Sequence, residues 1–219
     1  VKLIKGKKGT TVNLTVKKDD GDIKVISILR DKLEIEETYA KSTIIETKDG
    51  KYGMIQFPKF YIDFETKDSR DAFKDVAKEI ERLKEQNVDG IIMDLRNNGG
   101  GSLQTVVDMV GLFIDQGPVV QVRSQKGQRQ VLFDKDPKVQ WDGPLVVMVN
   151  NYSASASEIF AAAIQDYNRG LVIGSKHSFG KGTVQNMLDL NSILKVKDYD
   201  FGAIKFTSQK FYRVNGGST

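Results

Sequence analysis

Two periods of apolar residues divide this chain. Over Thr11–Val16 and Ile23–Leu29, β-branched residues recur in short runs joined through Lys18-Asp19-Asp20-Gly21-Asp22, whose Asp-Gly step favours the positive φ of a hairpin turn. Ile44–Thr47 and Tyr52–Phe57 flank Lys48-Asp49-Gly50-Lys51, a second hairpin signal. From Ser69 the spacing changes. Phe73, Val76, Ile80 and Leu83 recur every three to four residues and predict an amphipathic helix with Ser69 or Asp68 as its N-cap. Gly90–Leu95 reads as a buried strand, and the glycine-rich turn Asn97–Gly101 leads into a second helix faced by Leu103, Val106, Val107, Val110 and Phe113. Val119–Arg123 and Leu145–Val149 are further strands, and Ser155–Tyr167 is a third helix rich in alanine. Leu171–Gly174, Val184–Leu188, Ile204–Phe206 and Lys210–Tyr212 complete the set. Strands alternating with helices predict an α/β core with its chemistry in loops at strand ends.

Composition narrows the classes. The 219 residues, 39% hydrophobic and 28% charged, describe a globular protein able to bury a substantial core, expected as one large domain with a small appendage. No apolar run approaches the ~20 residues needed to span a bilayer. The first residues lack the long apolar stretch of a signal peptide, and Val1 in place of an initiator Met leads us to expect a piece of a longer protein. The net charge of +4 resides in Lys2, Lys5, Lys7 and Lys8, without which bases and acids balance at 29 each. A nucleic-acid groove is therefore not indicated. Zero cysteines excludes disulfides and thiolate metal sites, and the single His177 argues against a histidine-rich metal centre. The acidic turn at residues 18–22 lacks the spaced ligands and distal Glu of a calcium loop.

Candidate chemistry concentrates in Asn150–Glu158 and Phe179–Gln185. A serine hydroxyl is a weak nucleophile near neutral pH and needs an adjacent base, with dipoles aimed at the charge that develops on the attacked carbonyl. Ser155 follows the predicted strand 145–149 and opens the alanine-rich helix, near the positive end of its dipole and with the Ala156 N–H free to point at an oxyanion. Lys181, between glycines, is the candidate base once desolvation or nearby positive potential makes it neutral, and the glycines would let it sink under the core. Each segment has a plainer reading. Serines commonly cap helices, and a lysine in a glycine turn is by default solvent-exposed. Nucleotide loops fail on spacing: Gly174 to Gly180-Lys181 has five intervening residues where a Walker loop has four, and Gln104 stands where the third dinucleotide-loop glycine belongs. Ser155, Asp166 and His177 occur in the chain order of an α/β-hydrolase triad, but Ser153 and Ser157 occupy the positions of the elbow glycines.

At these residues the sequence resembles the bacterial tail-specific, or carboxy-terminal-processing, proteases. The match includes Asp94–Gly101, Ser153–Ala163, Gln165-Asp166-Tyr167, Phe179–Gln185 and Gln209–Gly217. The resemblance implies an α/β fold with a crotonase- and Clp-protease-like core over residues 30–219, preceded over residues 1–29 by the C-terminal part of a PDZ domain, an incomplete last helix and strand. It implies a serine endopeptidase with Ser155 as nucleophile, Lys181 as general base, Gln185 orienting the lysine, Gly101 and Ala156 amides forming the oxyanion hole, and Asp166 in a supporting role. Neither metal nor organic cofactor is implied. Implied partners are protein or peptide substrates with apolar C-termini and a lipoprotein adaptor, in the periplasm or cell envelope. The segment between Gly174 and Lys181 is one residue longer than the family pattern, with Lys176-His177-Ser178 as its variable stretch. From another class comes a non-catalytic peptide-binding or scaffold relative on the same fold.

Overall fold

The computed structural model describes residues 4–31, 38–62, 70–195 and 199–218. The chain divides into two compact units, Val1–Glu37 and Thr38–Thr219. In the first, β1 (Thr11–Lys17) and β2 (Ile23–Leu29) form an antiparallel hairpin in register from Thr11↔Leu29 to Lys17↔Ile23. Its turn is closed by the Lys18 N–H donating to Asp22 O at 2.8 Å and by Asp20, whose side chain accepts from the Asp22 N–H at 3.0 Å. Before it, residues 8–9 make a turn, with Thr10 Oγ donating to Lys7 O at 2.6 Å.

The second unit holds a five-stranded sheet and a four-stranded sheet. In the first sheet, β3 (Lys41–Thr47) and β4 (Gly50–Gln56) form the second hairpin. Strands β5 (Gly90–Asp94), β8 (Leu145–Val149) and β9 (Leu171–Gly174) then add in parallel. Helices supply the crossovers that parallel strands require. Helix α1 (Ala72–Glu85) buries Ala72, Val76, Ile80 and Leu83, the spacing read from the sequence, while its charged face stays in solvent. Its cap is Asp71, whose side chain accepts from the Phe73 N–H at 2.7 Å; the candidate caps Asp68 and Ser69 lie outside the described residues. Helices α2 (Leu103–Gly111) and α3 (Ala156–Asp166) pack on one another, and the edge-to-face pair Phe113–Phe160, with centroids 5.7 Å apart, belongs to the core they share.

The antiparallel sheet comprises β6 (Gly117–Ser124), β7 (Arg129–Asp134), β10 (Thr183–Asp189) and β11 (Ala203–Tyr212). Three features differ from expectation. Strand β7 has no counterpart in the sequence reading, the short helix α4 (Leu190–Leu194) was not foreseen, and the two strands expected at 204–206 and 210–212 are one. Polar Thr207–Gln209 continue the ladder because β11 pairs with β10 along one edge and β6 along the other, so backbone pairing overrides the interrupted apolar pattern.

Candidate functional site

Parallel strands β5 and β8 end side by side, and the turns that leave them build the site. After β5, the Arg96 guanidinium grips Asp94 through two bonds of 2.9 and 2.8 Å, and the Arg96 N–H adds a third at 3.0 Å. Burial pushes the Asp94 carboxyl up, but these charge-assisted bonds outweigh it and hold the carboxyl below its ordinary value. Buried Asn98 then donates to Phe57 O at 2.7 Å and accepts from the Gly100 N–H at 2.9 Å. The following glycines are required by contact. A Cβ on Gly100, at φ +95°, would lie 2.6 Å from Ala154 O and 2.8 Å from Ser155 Cβ, and one on Gly101, at φ +154°, would fall into the Phe60 carbonyl.

After β8, the three serines separate by role. Ser153 is fully buried, donates to Leu95 O at 2.8 Å and accepts from the Asn150 N–H at 2.9 Å. Ser157, equally buried, donates to Asn98 O at 2.9 Å. These two tie the turns together. Ser155 between them takes φ +60°, ψ −112°, a region costly for a residue with a Cβ, and stands at the N-cap position of α3. Among the described residues, neither the Gly101 nor the Ala156 N–H has an acceptor.

The lysine segment folds back onto this turn. The Phe179 N–H donates to Ser153 O at 3.1 Å, and the Phe211 N–H donates to Gly182 O at 3.1 Å, so the segment is held at both ends. Between them, buried Glu158 gathers four donors. One carboxylate oxygen accepts from Ser178 Oγ at 2.8 Å and the Gly180 N–H at 2.6 Å; the other accepts from the Ser155 N–H at 2.7 Å and the Lys181 N–H at 3.1 Å. One side chain thus fixes the backbones that carry both Ser155 and Lys181. The sequence reading missed Glu158, although Ser155-x-x-Glu158 has the spacing of a capping box, the one signal that could have marked it.

Ser155, Ala156, Gly101, Lys181 and Gln185 border a single cavity of about 60 Å³, walled by apolar residues that include Ile159, Val184 and Phe211. Lys181 is half-buried, not sunk beneath the core, and Gln185 is exposed. Among the described residues no hydrogen bond joins Ser155 Oγ to the Lys181 amine. Asp166 stands apart from the cavity. It pairs with Arg213 at 2.6 Å, which links the end of α3 to the segment after β11. His177 is exposed, and no hydrogen bond connects it to Asp166 or Ser155 among the described residues, so the three do not assemble as a triad. No group of side chains able to hold a metal occurs among the described residues, and no described helix is long and apolar enough to cross a membrane.

The chain is 46% identical over its whole length to a tail-specific protease of Haemophilus influenzae, of which it covers 30%. It is 36% identical over 99% of its length to the carboxy-terminal processing protease CtpA of Bacillus subtilis, of which it covers 42%. The chain therefore spans 30% and 42% of the lengths of these two relatives. Its fold matches that of a photosystem II D1 C-terminal processing protease with a TM-score of 0.67 at 24% identity, covering 97% of this chain and 53% of that one. With the model of peptidase family S41 matching residues 51–219, well over half of the sequence, the chain belongs to that family.

Proposed function

We propose that this chain carries the catalytic part of a serine endopeptidase acting through a Ser155/Lys181 dyad. The Lys181 amine, oriented by Gln185, takes the Ser155 proton as Oγ attacks a peptide carbonyl carbon. The Gly101 and Ala156 amides hold the resulting oxyanion, the lysine returns the proton to the departing amine, and water releases the acyl-enzyme. The observation that carries this reading is the convergence of five residues from three separate segments on one cavity, with two N–H groups that have no acceptor among the described residues. Asp166 acts structurally, through Arg213. Two relatives are named for tail-specific and carboxy-terminal processing. Extending the sequence resemblance, the substrates are proteins selected by apolar C-terminal tails in the periplasm or envelope, with a lipoprotein adaptor and with residues 1–29 as part of a PDZ domain that selects the tail.

A serine-reactive fluorophosphonate probe tests the dyad: it labels wild type and His177→Ala, and fails to label Ser155→Ala and Lys181→Ala. Labelling that survives Ser155→Ala, or that is lost in His177→Ala, would refute the assignment. The second reading, a non-catalytic peptide-binding relative, is favoured by the missing Ser155–Lys181 hydrogen bond. It predicts that no form of the protein labels.

A further inference from the structure

Strands β11, β6 and β7 bring three cations into one row. Lys210 pairs with Arg123 in one ladder and Arg123 with Arg129 in the next, so the three side chains share a face of the sheet on neighbouring strands about 5 Å apart. It is the solvent face, because Phe211 and Val122, the next pair along the first ladder, are buried in the core. Like charges directly opposite one another weaken a sheet. No ion pair relieves these three among the described residues. The acids carried by this sheet are remote. At about 3.3 Å per residue, Asp134 lies roughly 17 Å along β7 from Arg129, and Asp189 roughly 20 Å along β10 from Thr183, which stands opposite Lys210. Both separations exceed the ~10 Å range of exposed charges at moderate salt.

The row borders a cavity. Strand β6 stays paired with β11 only as far as Ser124↔Gln209 and then leaves into a turn, in which the Gly127 N–H donates to Ser124 O at 3.0 Å, while β11 continues beside β10. The fork encloses about 330 Å³, bordered by Arg123, Lys210, Ser124, Thr207, Ser208 and Tyr212, and its lining contains no acid. That volume falls at the lower end of the ~300–1,000 Å³ typical of small-ligand sites. Ser124 Oγ accepts from the Gln128 N–H at 3.2 Å and keeps its own hydrogen to give, and no hydrogen bond engages the Thr207 or Tyr212 hydroxyl among the described residues. Phe211, between Lys210 and Tyr212, borders the proposed active-site cavity instead, so the two sites are distinct.

Such a lining selects by charge and by number of acceptors. A carboxylate cancels one cation and is filled by one guanidinium fork, which leaves the second cation bare. A phosphoryl group concentrates a charge of about −2 and three acceptor oxygens in one compact unit, enough for the Arg123 fork, the Lys210 ammonium and a hydroxyl together. The concave shape suits a small soluble molecule better than the flat face of a bilayer. We propose that the fork between β6 and β11 binds a soluble phosphoryl compound, with Arg123 and Lys210 as its charge partners and Arg129 adding attraction from the neighbouring strand. This binding does not depend on the peptidase reading.

The test is calorimetric titration in low-salt buffer, where exposed charges act most strongly, with inorganic pyrophosphate, acetate and pentaglutamate as probes. We expect pyrophosphate to bind with Kd between about 10 μM and 1 mM, and both carboxylate probes to bind at least about tenfold more weakly. Arg123→Glu and Lys210→Glu each weaken pyrophosphate by about tenfold or more. Both residues are exposed, and Arg123→Glu puts an acid between Lys210 and Arg129, so that variant keeps its fold. Lys78→Glu, at an exposed position of α1, changes the net charge equally and weakens pyrophosphate by less than about threefold. No pyrophosphate binding below about 1 mM, equal binding of acetate, tighter binding of pentaglutamate, or equal weakening by Lys78→Glu overturns the site. If pyrophosphate fails while vesicles containing phosphatidic acid sediment the protein, the cations serve a membrane and the proposal falls.

Discussion

Glu158→Gln is the most direct perturbation of the arrangement that holds the two halves of the site together. The carboxylate accepts four hydrogen bonds, two on each oxygen, at 2.6–3.1 Å in a fully enclosed setting. Glutamine keeps the shape but turns one oxygen into a donor. Facing Ser155 and Lys181 the new NH2 meets two N–H groups, whereas facing Ser178 and Gly180 it meets one, because the Ser178 hydroxyl can turn to accept. In that less costly orientation one buried donor loses its acceptor, at about 1–3 kcal/mol. Roughly half of that falls on the alignment of Lys181 with Ser155, which lowers kcat about 2- to 13-fold at nearly constant KM. The rest falls on the fold and lowers the melting temperature by about 1–6 °C. The assay is peptide hydrolysis resolved into kcat and KM, beside a thermal melt of the same samples. A variant with kcat within about twofold of wild type and a melt within about 1 °C would show that the carboxylate does not organise the site.

Other changes act on separate contacts. Gly100→Ala forces a Cβ into Ala154 O and Ser155 Cβ at a positive φ, so labelling by the serine probe falls by more than about tenfold, and an unchanged labelling rate counts against the packed turn. Arg213→Ala leaves the largely buried Asp166 carboxylate without its partner and costs about 3 kcal/mol in urea unfolding, whereas the double variant with Asp166→Leu recovers part of that loss; additive losses would deny the pair its role. Asp134→Asn addresses a carboxyl pushed up by burial, then by neighbouring Asp136 and Asp108, with one oxygen lacking a partner among the described residues. Because its folded value is raised, this acid favours folding below its unfolded value near 4 and that contribution is lost as pH rises through the folded value. The amide should raise the melting temperature at neutral pH by a few degrees and flatten its decline with pH, and a lower melt at neutral pH would show that the charge is accommodated.

What could be read in the sequence depended on whether a signal was local. The stripe Val76, Ile80 and Leu83 and the runs at 90–95 and 145–149 state their period outright, and each is buried in the expected element. Strand β7 was illegible because its pleat inverts the usual chemistry, with Asp134 turned inward and Phe133 left 48% exposed. Ser155 and Lys181 stood out by neighbourhood, and their common cavity follows from Phe179 folding back onto Ser153. Glu158 looked like an ordinary first-turn acid. Its function as a joint emerges only when residues 178–181, more than a helix length away in sequence, return to it.

The left-handed backbone at Ser155 has a consequence for how such a chain drifts. A residue without a Cβ would relax there, so Ser155→Gly should melt higher than wild type while losing all chemistry. A population screened for robustness alone would slide toward glycine at this position, and its hardiest members would be inert.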